Sequence, residues 1–167
     1  MTGQGLNISN DLWRFSCTVY AAPGVAEACL YLQDRYGADV NLLLLAAWLG
    51  SMRGVRMEMP LPDAIADASW QEAVIRPLRA VRRRVKAGGL DDPSFREFHA
   101  QLLATELAAE RIRQAQLFHW AEHHFPPRPA VAGLARANLA LLTGSPPEAA
   151  AALDQLAEAA EARGPES

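Results

Sequence analysis

The sequence predicts an all-α protein: one bundle of about six to seven helices around a buried central helix near residues 39–50, with a C-terminal helical hairpin. Three observations carry this. Half of the 167 residues are hydrophobic, so a sizeable core is available and disorder over most of the length is excluded. Ala and Leu dominate, while the β-branched and aromatic residues that favour strands are sparse. Finally, Leu42–Leu49 is apolar on nearly every face of a helix, which places it in the middle of a fold.

The elements can be justified in order. Helix one runs from about Asn10 to Ala21, with Leu12, Phe15, Ser16 and Val19 on one face. Ala22-Pro23-Gly24 breaks it, and Pro23 suits an early position of helix two. Val25, Cys29, Leu32 and Tyr36 form the inward stripe of that helix, with Gln33 at its margin and Asp34 on the opposite side. Gly37 can adopt the left-handed conformation that closes a helix, and Asp39 caps the central helix beginning Val40-Asn41-Leu42. That helix ends near Gly50 or Gly54. Met52–Pro62 is then a loop, and Asp63–Ala68 a short turn.

Ser69-Trp70-Gln71-Glu72 has the S-x-x-E form of a capping box and should start helix four, with Ser69 and Glu72 as its caps. Pro77 should kink or break that helix. Past it, Leu78, Val81 and Val85 continue the apolar stripe, while Arg76, Arg79, Arg83 and Lys86 gather on the far side. Gly88-Gly89 stops the helix, and Asp91-Asp92-Pro93 starts the longest one, to about His124. Pro126-Pro127-Arg128-Pro129 reads as a linker. The expected organisation is therefore a core at 1–125, a linker at 126–129 and a hairpin at 130–163, turned at Gly144-Ser145-Pro146 and packed on the core. The end, Ala162–Ser167, should fray. The hairpin has no second copy, so a solenoid is not expected.

No apolar run approaches the roughly 20 residues that span a bilayer, and MTGQGLNISND lacks the form of a signal peptide. Cys17 and Cys29 are not in a C-x-x-C arrangement and read as reduced thiols, so a cytoplasmic location is expected. A net charge of −3 argues against a generic nucleic-acid binder, although residues 76–86 hold six basic side chains and no acid. The arginines at 82–84 could meet phosphates, but the basic side of this helix lies opposite an apolar stripe, as on a solvated face.

One place breaks the helical pattern. The inner face of the longest helix begins Phe95, Phe98, Leu102, Leu103 and ends Leu117, Trp120, Ala121. Between them it carries Glu106, Glu110 and Arg113, spaced four and three apart. Two carboxylates one turn apart on an inward face need a cation between them. The favoured reading is a structural ion-pair network between this helix and the arginines of helix four. The alternative is a polar pocket in which Glu106 and Glu110 act as metal or general-base groups, Arg76, Arg79 and Arg83 receive an anion, and Gln33 and Asn41 contribute. His119-Trp120-Ala121-Glu122-His123 matches the inverted zinc-protease pattern H-x-x-E-H, but it sits at a helix end with no convincing third ligand, so no metal is assigned. No nucleophile motif, phosphate-cradling glycine loop or cofactor motif is present; Gly3-Gln4-Gly5 precedes no strand.

The block LWRFSCTVYAAPGVAEACLYLQDRYGADVNLLLLAAWLG, Leu12–Gly50, resembles the signature of a family of uncharacterised bacterial proteins described only as a domain of unknown function. The resemblance continues through Trp70, Arg76-Pro77-Leu78-Arg79 and Glu106-Leu107 to Glu110-Arg111, and more loosely Ala137–Leu141. It implies a soluble all-helical bacterial protein and assigns no catalytic role to the characteristic Gln33, Asp34, Asp39 and Asn41. The reading from sequence leans away from an enzyme, because no complete catalytic constellation can be assembled. It favours an interaction or accessory protein docking a protein partner through its arginine face or C-terminal hairpin. A small-molecule or metal-dependent activity in the Glu106, Glu110, Arg113 pocket is the alternative. Deep polar cavity or exposed patch: that difference separates the two.

Overall fold

A computed structural model describes residues 5–163. The fraying expected at Ala162–Ser167 lies outside the described residues from 164 on, as do residues 1–4 of the N-terminal segment. The described chain is helical throughout and contains no strand. Its elements are α1 (Asp11–Tyr20), α2 (Val25–Tyr36), α3 (Val40–Ser51), the single turn α4 (Asp63–Ala66), α5 (Arg76–Ala87), α6 (Pro93–His124), α7 (Leu134–Thr143) and α8 (Ala150–Glu161).

Helix α3 is the axis of the bundle, with every residue from Leu43 to Ser51 buried. Its start is set as its residues dictate. Gly37, at φ 65°, closes α2 and donates its N–H to the Gln33 carbonyl, and Asp39 then accepts from Asn41 N–H at 2.8 Å. Around α3 pack Leu12, Phe15 and Val19 from α1, Val25, Cys29 and Leu32 from α2, and Leu117 and Ala121 from α6. The C-terminal hairpin completes the same core: α7 lies along α3, and α8 lies along α2. The α3–α7 crossing is tight enough that a Cβ on Gly50 would collide with the Ala135 backbone.

Several local expectations are corrected. Pro23 precedes α2 rather than opening it, because Gly24 takes the left-handed conformation (φ 79°) and redirects the chain. Its carbonyl accepts from Gln155 Nε2. The capping box at Ser69 does not form: Asp67 is the side-chain acceptor, taking Ser69 N–H at 2.9 Å, and Glu72 pairs with Arg76 instead. Pro77 does not end its helix, but the α-helical pattern is interrupted just before it. A π turn at Gln71–Ile75 runs directly into α5, and the wider turn accommodates a residue that has no N–H to return to the preceding turn.

The largest departure concerns α6. At 32 residues it is about 48 Å long, longer than the helices around it. None of its residues before Glu106 is buried, and α5, which packs chiefly on it, buries none. Phe95 (56% exposed) and Phe98 (47%) therefore lie open instead of facing the core, since the short basic α5 cannot cover them. The stretch 126–129 is also pinned. Arg128 N–H donates to the Arg53 carbonyl, and Arg53 in turn donates to Phe125 O and pairs with Glu122.

Candidate functional site

The charged turn of α6 is where α5 crosses back over the bundle. Glu106 is 5% exposed and accepts from two arginines: Arg79 Nε at 2.9 Å on one oxygen and Arg82 Nε at 2.5 Å on the other. Arg79 Nη2 continues to Glu110 Oε1 at 2.8 Å. The arginines come together because Arg79 and Arg82 are three apart on α5, as Glu106 and Glu110 are four apart on α6. Burial alone raises the Glu106 carboxyl, but the hydrogen bonds and charges of Arg82 and Arg79 outweigh it and hold this group below the usual carboxylate range. For Glu110 the balance is reversed. Burial is the larger effect, Arg79 offsets part of it and the neighbouring Glu106 adds repulsion, so Glu110 titrates above the ordinary range.

These side chains form the floor of a cleft of about 400 Å³ between α1, α2 and α3 on one side and α5 and α6 on the other. Trp13, Leu30, Leu44, Leu103 and Leu107 supply apolar walls. Ser16, Gln33, Asn41 and Gln114 line the cleft as well. Gln114 Nε2 donates to Asn41 Oδ1 at 3.1 Å, which gives the buried amide of Asn41 a partner. Gln114 Oε1 and Ser16 Oγ, both out of solvent, have no hydrogen-bond partner among the described residues. Turning both amides would only exchange which Gln114 atom is left over. Cys17 also reaches the cleft, is exposed, and has its thiol raised by partial burial, with Arg111 opposing.

Of the residues the sequence singles out, Glu106, Glu110, Arg79, Arg83, Gln33 and Asn41 meet at this cleft. Arg113 does not. It lies about one turn beyond Glu110 along α6, buried, and donates to the Ile65 carbonyl at 2.9 Å. Arg76 is turned to Glu72 on the surface, and Arg83 reaches Asp34 at 3.6 Å in an exposed pair of the kind worth little. Arg82, in a run that could meet phosphates but on a helix whose basic side reads as a solvated face, is a principal partner of Glu106. The 79/82 spacing was the available signal. Ser16 and Gln114 carried none, because their lack of partners is a tertiary property.

Both oxygens of Glu106 are held by guanidinium groups, which disfavours a metal there. At the H-x-x-E-H segment, Glu122 is turned to Arg53 and His123 Nδ1–H donates to the His119 carbonyl. Among the described residues no group of three or more His, Cys, Asp or Glu is placed to hold a metal ion, and no helix is long and apolar enough to cross a membrane.

Fold and site together define an all-helical protein with a polar-floored cleft. The chain belongs to a family of proteins of unknown function, DUF2390, whose model matches residues 11–117, more than half of the 167. Comparison with curated proteins gives no match, and comparison with solved structures gives none either. Every residue lining the cleft, from Trp13 to Gln114, falls within the matched span, whereas α7 and α8 lie beyond it.

Proposed function

We propose that the protein binds a small amphipathic molecule in this cleft, with its apolar body against Trp13, Leu103 and Leu107 and a hydrogen-bond-donating head on the polar floor. The observation that carries the reading is the pair of buried polar atoms without partners, Gln114 Oε1 and Ser16 Oγ, in an opening with apolar walls. A purely structural ion-pair network needs neither, and leaving such atoms unpaired costs about 1–3 kcal/mol each. The guanidinium charges of the floor are paired with Glu106 and Glu110. The Glu110 oxygen that Arg79 does not hold is an open acceptor for a donating head, beside Ser16 Oγ and the spare Gln114 amide atom.

The reading is of binding rather than turnover. No histidine lines the cleft, and the one thiol there is raised rather than activated. Docking of a partner protein, the reading favoured by sequence, has less support. The apolar side of the C-terminal hairpin is packed in the core, and Arg76, Arg79, Arg82 and Arg83 are all paired within the chain.

Octylamine, octan-1-ol and octanoate share one chain and differ in the head, and Cys17 reports occupancy. The first two should slow alkylation of Cys17 by iodoacetamide, octanoate should do so least, and Leu107→Glu should abolish the protection. No protection by any of the three, or equal protection in Leu107→Glu, refutes the proposal.

A further inference from the structure

Arg113 makes no salt bridge among the described residues, although its charge reaches the Asp39 and Asp67 carboxylates and favours the ionised form of both. It is 4% exposed, its Nη2 donates only to the Ile65 carbonyl, and its Nε–H, out of solvent, meets no acceptor among the described residues. The other well-shielded arginines each hold a glutamate. Arg53 pairs with Glu122 at 2.7 Å, Arg79 with Glu106 at 2.9 Å, and Arg82 with Glu106 at 2.5 Å. No such pair is made by Arg113 among the described residues. A guanidinium taken out of water without a hydrogen-bonded carboxylate is costly, so a fold that keeps one there has a use for its charge or offsets it elsewhere.

Arg113 lines a hollow of about 420 Å³, separate from the cleft described above. Two indoles, Trp70 and Trp120, form part of its wall, and Ser69, Gln116 and His119 complete the polar side. Trp70 is fixed by donating Nε1–H to the Ala109 carbonyl at 2.9 Å. Asp67 is the one acid on the wall; its carboxylate accepts Ser69 N–H at 2.9 Å and stays charged, its pKa lowered chiefly by that bond and in part by Arg113. A planar guanidinium fork matches a carboxylate, and indoles match a flat ring, although one face of Trp120 is already stacked on His124 at 4.2 Å.

We infer that this hollow binds a small aromatic carboxylate, with the carboxylate on Arg113 and the ring against Trp70 and Trp120. The inference is independent of the cleft and stands or falls separately.

Benzoate is the probe. Cyclohexanecarboxylate keeps the charge without the flat ring, benzyl alcohol keeps the ring without the charge, and inorganic phosphate is an anion alone. On wild-type protein, benzoate should shift the Arg113 Nε–H resonance saturably and change tryptophan fluorescence with the same midpoint. The other three should bind about tenfold more weakly or not at all. Arg113→Met keeps length and apolar packing, and should lose the fluorescence response. Trp120→Leu should keep the fold and weaken benzoate by about tenfold.

The inference is overturned if the wild-type resonance does not move up to about 10 mM benzoate, or if Arg113→Met still responds. Phosphate matching benzoate, with Trp120→Leu unaffected, overturns it in favour of an adventitious ion only. Should Arg113→Met fail to fold, the wild-type Nε–H titration and Trp120→Leu decide the matter alone.

Discussion

The two glutamates of α6 are one turn apart and share Arg79, yet their removal should have opposite consequences. Glu106→Gln withdraws the negative charge between two guanidinium groups whose side chains are only 13% and 19% exposed. An amide can still accept from one arginine, so the expected loss lies at the lower end of the range for breaking a shielded pair, about 3 kcal/mol. For a domain of this length each kcal/mol moves the midpoint by about 2–4 °C, so the melting temperature at neutral pH should fall by about 10 °C. Glu110→Gln removes a carboxylate that pays more in burial and in repulsion from Glu106 than Arg79 returns. It should melt within about 2 °C of wild type, or above it.

The pH dependence carries the same signs. Glu106, held below its ordinary value of 4.5, contributes stability that is present above that value and lost as pH falls through its lowered folded value. Glu110, raised above 4.5, binds its proton more tightly in the folded chain. It therefore costs stability as pH rises from 4.5 through its folded value, and that cost is absent below 4.5. Glu110→Gln should gain on wild type across that interval, while Glu106→Gln should converge on wild type only in acid. Differential scanning calorimetry between pH 3 and 8 measures both. A Glu106→Gln variant that melts with wild type at pH 7, or a Glu110→Gln variant that falls as far as Glu106→Gln, refutes the argument.

Two further outcomes follow from buried groups elsewhere. Asn138 is fully buried; its Oδ1 accepts from Met57 N–H, and its Nδ2 donates to the carbonyls of Ala46 and Val55, stitching the 52–62 loop to α3 and α7. Asn138→Leu leaves the loop groups unpaired and should cost about 3–5 kcal/mol in urea unfolding; a loss below about 1 kcal/mol would show that the loop finds other partners. Cys29 is wholly buried with its thiol pushed up to about 12, whereas Cys17 is exposed, so Ellman's reagent should titrate one thiol in the folded chain and the second only in denaturant. Peptide mapping that finds the native label on Cys29 contradicts the packing of α2.

The helical class, the central position of α3 and the α2–α3 corner were legible in the residues because their causes are local. An all-apolar helix has nowhere to go but inside, and Gly37 and Asp39 satisfy helix ends within a few positions along the chain. Glu106 and Glu110 were visible as an interruption of a periodic stripe, and the spacing of Arg79 and Arg82 was available beside them. What the same periodicity could not supply was the extent of the covering surface. Phe95 and Phe98 carry the pattern of core residues and remain exposed, because burial depends on how far the neighbouring helices reach. The stripe also grouped Arg113 with the glutamates, although its place about one turn farther along α6, beside α4, sends it to Ile65 instead. Sequence alone thus determined which segments are helices and which one is central, since helix formation and capping are settled within a few residues. Only the tertiary structure decided which charges meet and which buried polar atoms go without partners, because those depend on distances between helices brought together from opposite parts of the chain.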